Sequence, residues 1–146
     1  MLWASKRCLR PVKWISERSE GMASDDSARD NVSDAALALD RDGKFLAVRC
    51  ATLANLGAYL SLRGPLPPIV NLGSLAGVYT TPAIHVRTSG VFTNTNCTSP
   101  YRGAGRPEAS TVLEQLVDEA ARKLAIDPAE LRRRNTIPAD MGYFLH

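Results

Sequence analysis

The chain has 146 residues, 45% of them hydrophobic and 23% charged, the ordinary range for one globular domain with a core of moderate size. Its 18 basic and 15 acidic side chains leave a formal charge of +3, too slight and too scattered to mark a nucleic-acid or membrane surface. Three cysteines, Cys8, Cys50 and Cys97, show no CxxC spacing, so neither a disulfide framework nor a cysteine-based zinc or iron–sulfur site is encoded, and a reducing, cytoplasmic setting is the expectation. No apolar run reaches the length that crosses a bilayer, and the first residues lack the basic start and apolar stretch of a signal peptide.

Leu2 to Leu9 reads as a short helical turn stopped by Pro11. It has no N-cap signal before it, which leads to the expectation of a piece of a longer chain. Val12-Lys13-Trp14-Ile15 suits a strand, and Glu17 to Asn31 reads as polar and irregular. Val32 to Asp40 and Lys44 to Leu56 are apolar-rich runs joined across Arg41-Asp42-Gly43, whose Asp-Gly pair supplies the positive φ angles of a tight hairpin turn. In the second run, Leu46, Val48, Cys50 and Thr52 fall on one face and Phe45, Ala47, Arg49 and Ala51 on the other. Cys50 then reads as a small core residue.

Gly64-Pro65-Leu66-Pro67-Pro68 breaks regular structure, so the stretch through Gly77 reads as a long surface excursion. Pro82 to Thr95 returns to strand character, with Gly90 a candidate bulge or turn. His85 lies on that strand without neighbouring ligands and reads as structural. Val112, Leu113, Leu116, Val117, Ala120, Ala121 and Leu124 recur at three- and four-residue steps and form one apolar stripe, so a long helix starts near Pro107, with Glu108 favouring the positive end of its dipole. Asp127-Pro128-Ala129-Glu130 repeats the same start grammar for a second helix through Arg134, where Arg132, Arg133 and Arg134 read as a solvated face. Strands first and helices after give an α+β class: an antiparallel hairpin-containing sheet followed by packed helices. There is no internal repeat.

Between the last strand and the long helix lies Ser99-Pro100-Tyr101-Arg102-Gly103-Ala104-Gly105-Arg106-Pro107-Glu108-Ala109. Gly103 and Gly105 let backbone approach a ligand closely, the helix start attracts an anion, and Arg102 and Arg106 add cationic forks that suit phosphate oxygens. Alone, a Gly-x-Gly before a helix is equally well a steric turn. It is not a Walker loop, lacking Gly-Lys-Ser/Thr, nor a dinucleotide fingerprint, lacking the third glycine.

Phe92-Thr93-Asn94-Thr95 with Tyr101 to Ala109 resembles the molybdopterin-contacting segment of the xanthine dehydrogenase, aldehyde oxidase and carbon monoxide dehydrogenase large subunits. The resemblance extends to Arg10-Pro11-Val12-Lys13-Trp14 with Glu17-Arg18-Ser19-Glu20, to Ala54-Asn55-Leu56-Gly57-Ala58-Tyr59, and to Asp127-Pro128-Ala129-Glu130-Leu131-Arg132-Arg133-Arg134-Asn135. It runs from about Leu2 to Pro138. Several ordered matches are far more specific than one motif. The resemblance implies that residues 1–146 form a single partial domain, the first molybdenum-cofactor-binding region of a molybdenum hydroxylase large subunit. Such enzymes oxidatively hydroxylate small molecules and pass electrons through iron–sulfur clusters to FAD on partner domains or subunits.

It further implies that Tyr101, Arg102, Gly103, Ala104 and Gly105 lie against the molybdopterin, with Arg102 contacting it. The pterin's dithiolene sulfurs hold the metal, so no protein ligand to it is expected here. In members that oxidise carbon monoxide, a copper-bearing cysteine stands at the position of Gly103. In members that oxidise xanthine, an aromatic stands at that of Ala104. Glycine and alanine here point instead to an aldehyde or an N-heterocycle. Cys97 and Ser99 depart from the proline and aspartate frequent in relatives. The family's general base, a glutamate near the subunit's C-terminal end, and its other cofactor loops lie outside the matching region, so no catalytic residue is expected in this chain. The expected partners are the remaining large-subunit segments, an iron–sulfur subunit and a FAD subunit, with neither nucleic acid nor membrane. Alternatives are a stand-alone module that binds a phosphate-bearing ligand and an inactive truncated remnant.

Overall fold

The structure is a computed structural model that describes residues 1–141. Strands β1 (Asn31–Leu39) and β2 (Phe45–Gly57) pair antiparallel. The turn falls where the Asp-Gly signal places it, with Gly43 at φ 82° but Asp42 outside the positive-φ region, and Asp40 Oδ1 accepts the N–H groups of Asp42 at 2.9 Å and Lys44 at 2.8 Å. The expected two-face alternation holds from Val48 onward and reverses at the strand's start. Ala38 pairs with Ala47 but Leu39 pairs with Phe45, so Leu46 is an extra, bulged residue. That insertion sends Phe45 fully into the core and leaves Leu46 45% exposed, the opposite of strict period-two reading.

Strand β3 (Ala83–Phe92) pairs parallel to β2, giving the order β1-β2-β3. A parallel neighbour requires a crossover, and here it contains helix α3 (Leu66–Ser74), in place of the expected structureless excursion. Prolines mislead at this point for a physical reason. Pro65, Pro67 and Pro68 occupy the cap and first turn, where a helix has no intrahelical acceptor for N–H groups, so their missing donors cost nothing. Gly90 is no bulge: it stays in register opposite Ala54, and an added Cβ would lie 2.7 Å from Leu56 Cδ1. The register shift sits on β2 at Leu56, whose side chain the glycine admits.

Helix α4 (Arg106–Leu124) buries Ala109, Leu113, Val117, Ala120 and Ala121 against β1 and α3, close to the predicted stripe, with Leu124 at its exposed edge. These residues join Phe45, Val48, Cys50, Leu75 and Tyr79 in one core, where each fully buried aliphatic side chain contributes roughly 1.5–3 kcal/mol. Helix α5 (Pro128–Asn135) starts as expected, Asp127 Oδ1 accepting from Ala129 and Glu130 N–H at 3.0 and 2.9 Å. Its arginine triplet is not a uniformly solvated face. Arg132 turns inward to Glu114 and Asp118 of α4, at 2.7 and 2.8 Å, while Arg133 and Arg134 pair with Glu130. A 3-10 turn covers Ala139–Met141, and the remaining residues of the C-terminal stretch, 142–146, lie outside the described residues.

The N-terminal stretch differs most from expectation. Helix α1 (Leu2–Cys8) forms and ends with Leu9 in the left-handed region, but Val12 to Ile15 is not a strand. A strand needs a neighbour to satisfy its backbone, and none of the described residues pairs there. Where irregular chain is expected, helix α2 (Arg18–Ser24) appears. Neither helix has a buried residue, and Trp3, Leu9, Ile15 and Met22 are all exposed. Beyond α2 the chain returns to the body, where Ser27 bridges Thr98.

Candidate functional site: the loop at the start of the long helix

Two of the motifs quoted above interlock behind the loop. Asn55 donates through Nδ2 to Asp30 Oδ2 and Thr95 Oγ1, both at 2.7 Å, and its Oδ1 accepts from Thr93 Oγ1 and Gly57 N–H, both at 2.8 Å. One side chain thus joins the end of β2 to the segment after β3. The N-terminal segment then lays itself along residues 97–99. Ser27 N–H donates to Cys97 O, Ser99 N–H donates to Ser27 O, both at 2.9 Å, and the Cys97 thiol donates to Asp26 Oδ1 at 2.9 Å. The Asp26 carboxylate raises the pKa of the Cys97 thiol, and Cys97 in turn raises that of the Tyr59 phenol.

From this support the chain enters a tight double turn. Ala104 N–H donates to Tyr101 O at 2.8 Å and Arg106 N–H to Gly103 O at 3.1 Å. Gly103, Ala104 and Gly105 have φ of 91°, 38° and 91°, three successive residues in the left-handed region. Gly105 caps α4, whose start has no side-chain cap. It is also buried: a Cβ there would run into the Pro67 carbonyl and come within 2.8 Å of the Asn71 N–H. The base of the loop therefore sits on the first turn of α3, the helix that proline content disguises. Gly103, by contrast, is exposed at the crest.

All five predicted site residues lie in this turn. Arg102 and Arg106 are exposed, and among the described residues neither guanidinium has an ion pair or hydrogen bond. Arg29 is the residue that sequence reasoning missed. Its guanidinium lies 4.8 Å over the Tyr101 ring, donates to the Arg102 carbonyl, and has Nε 4.0 Å from Glu108 Oε2. Glu108 makes no capping bond; its side chain is 10% exposed and faces Arg29. His85 is exposed on β3, and no cluster of His, Cys, Asp or Glu among the described residues could hold a metal ion. None of the described helices is long and apolar enough to cross a membrane.

The chemistry of this surface is that of an anion site. The exposed backbone of Gly103, a helix start without a side-chain cap and with its positive dipole end, and two uncommitted guanidinium forks lie within six residues, Gly103 to Pro107 flanked by Arg102. That donor set fits a phosphate-bearing cofactor. The fold and loop together define a cofactor-binding domain of α+β class.

Residues 1–136 match the model of the molybdopterin cofactor-binding domain, and the chain belongs to that family. It is 34% identical over 138 residues to the 6-hydroxypseudooxynicotine dehydrogenase complex subunit gamma of Paenarthrobacter nicotinovorans, covering 94% of this chain and 17% of that protein. It is 35% identical over 130 residues to the carbon monoxide dehydrogenase large chain of Afipia carboxidovorans, covering 87% of this chain and 16% of that one. Among solved structures, quinoline 2-oxidoreductase from Pseudomonas putida 86 superposes with a TM-score of 0.87 at 34% identity, covering 94% of this chain and 18% of that one. The chain thus spans less than a fifth of the length of these relatives.

Proposed function

We propose that this chain supplies one wall of the molybdenum-cofactor site in the large subunit of a molybdenum hydroxylase, with Tyr101 to Gly105 against the molybdopterin. The observation that carries the reading is the pair of uncommitted guanidiniums, Arg102 and Arg106, on either side of a left-handed glycine turn at a helix start without a side-chain cap. When bound, the cofactor supplies two-electron redox chemistry at its metal. The chain's own work is positioning. Arg102 contacts the cofactor through charge-assisted hydrogen bonds, the exposed Gly103 admits it to backbone distance, and the α4 dipole favours its negative charge.

The reaction we assign to the assembled enzyme is oxidative hydroxylation of an aldehyde or an N-heterocycle. Gly103 and Ala104 support it, because neither the copper-bearing cysteine nor the stacking aromatic of the other branches is present. Relatives include a nicotine 6-hydroxylase large subunit, 32% identical over 142 residues, and the quinoline 2-oxidoreductase. The general base, the iron–sulfur clusters and FAD belong to the remaining large-subunit segments and to partner subunits of a cytoplasmic complex. The exposed apolar side chains of α1, α2 and the segment between them suit packing against those segments.

The test is cofactor retention. The chain joined with the remaining large-subunit segments, in cells that make the molybdenum cofactor, is expected to carry molybdenum and pterin, and Arg102→Ala to lose them. Equal metal and pterin content in the two forms would overturn the assignment.

A further inference from the structure

The left-handed turn needs an external restraint. A non-glycine residue in that region is strained and persists where its surroundings over-determine it. Ala104 is such a residue, and Arg29, across from it at φ 59°, is another. The turn's base is fixed by the close seat of Gly105 on α3, but its crest, Tyr101 to Gly103, is exposed, and an added Cβ at Gly103 would meet only the Pro107 ring of α4's own first turn and the Arg29 guanidinium.

We infer that Arg29 is a positioning residue for this loop. One planar guanidinium makes three contacts that tie the crest down: its face lies over the Tyr101 ring, an N–H donates to the Arg102 carbonyl, and its Nε faces Glu108. This combination calls for arginine, because a planar fork donates in its plane while its face stacks on an aromatic, which a lysine ammonium cannot do. Glu108 completes the clamp. Its Oε2 is buried without a hydrogen-bond partner and faces the Arg29 Nε, so losing Arg29 would leave that carboxylate without its nearby cation. Arg29 is itself held in place by the bridge from Ser27 to residues 97–99 and by the Cys97 to Asp26 bond just before it. The consequence for the loop is a division of labour. Arg29 occupies the Arg102 carbonyl from the protein side, and the Arg102 side chain is left free to reach outward.

The inference rests on the reading of Tyr101 to Gly105 as cofactor-facing, and its test separates the two. The chain and its Arg29→Ala, Arg29→Lys and Arg102→Ala forms are joined with the remaining large-subunit segments in cells that make the molybdenum cofactor, and bound molybdenum and pterin are measured. In the chain alone, free of cofactor, the rate of tryptic cleavage at Arg102–Gly103 is measured against cleavage after Arg18 in the exposed α2. Arg29→Ala is expected to raise relative cleavage at Arg102 by about tenfold, the signature of local opening, and to reduce bound pterin by a similar factor. Arg29→Lys falls between, keeping a cation toward Glu108 without the stacked fork.

Unchanged cleavage at Arg102, or unchanged pterin in Arg29→Ala, overturns the inference. If Arg29→Ala does not fold, amide exchange at Gly103 to Arg106 in Arg29→Lys decides: faster exchange confined to these residues supports the clamp, and parental rates overturn it. Arg102→Ala that keeps its pterin, or a parent assembly that carries none, overturns the cofactor-facing reading, while cleavage and exchange still decide the clamp.

Discussion

Asn135, the last residue of α5, accepts the buried N–H of Phe45 on Oδ1 at 2.8 Å and so holds the second helix to the start of β2. The same amide donates through Nδ2 to Gly43 O and Leu131 O, both at 2.9 Å. The Phe45 N–H is left available because the Leu46 bulge interrupts the ladder there. Asn135→Ala leaves a buried donor and a buried acceptor unpaired, a loss of roughly 3 kcal/mol. By calorimetry, Tm is expected to fall by roughly 10 °C; a fall of under about 2 °C would show that solvent replaces the amide.

Two glycines should respond in opposite directions. Gly105→Ala places a methyl group against the Pro67 carbonyl at a φ of 91° and is expected to cost roughly 3 kcal/mol. Gly73, inside α3, has nothing within 4 Å of an added Cβ, so Gly73→Ala is expected to gain roughly 0.5–1 kcal/mol from helix propensity. Urea midpoints of the two variants check both signs at once. Equal midpoints would mean that the loop base yields freely around residue 105.

Tyr79 carries a pH dependence. Burial, followed by the 2.8 Å hydrogen bond it donates to Glu114, pushes its pKa from 10.0 up to about 12. Folding therefore favours the protonated phenol. Its contribution is complete below pH 10.0 and is lost as pH rises toward about 12. The difference in urea midpoint between the parent and Tyr79→Phe should shrink across that window. A constant difference from pH 9.5 to about 12 would contradict the shift.

The three cysteines should label in a set order. Cys8 is exposed, whereas Cys50 and Cys97 are each 1% exposed. Asp26, accepting from the Cys97 thiol, also holds that thiol above its ordinary pKa and so poor in thiolate. At about pH 8, iodoacetamide is expected to modify Cys8 alone, and Asp26→Asn to open Cys97 to reaction by lowering its pKa and freeing the Ser27 segment. Mass spectrometry of tryptic peptides reads each site. Rapid labelling of Cys97 in the parent would contradict its burial.

Elements built on short-range signals were legible in advance. The Asp42-Gly43 turn, the apolar stripe of α4 and the Asp127 cap depend on residues within a few positions of one another, and each appears where its pattern places it. The five loop residues stood out as a candidate site through the glycine spacing, the flanking arginines and the resemblance of several ordered motifs. Proline content, by contrast, concealed α3, since the same residue that breaks a helix interior is harmless in its first turn.

What no local pattern carried is the set of contacts that gives the loop its shape. Arg29 and Arg102 are 73 residues apart, and the short segment around Arg29 has no periodicity that announces a role. Phe45 and Leu46 exchanged faces because one bulged residue changes the side of every position beyond it. Arg132, one of three identical residues in a row, left the solvated face only because α4 brings Glu114 and Asp118 beside it. Turn chemistry, helix stripes and caps follow from local sterics and hydrogen bonding, so they are written in neighbouring residues. Which arginine clamps, which one pairs and which stays free depends on where separate elements meet, and only the packed structure decides that.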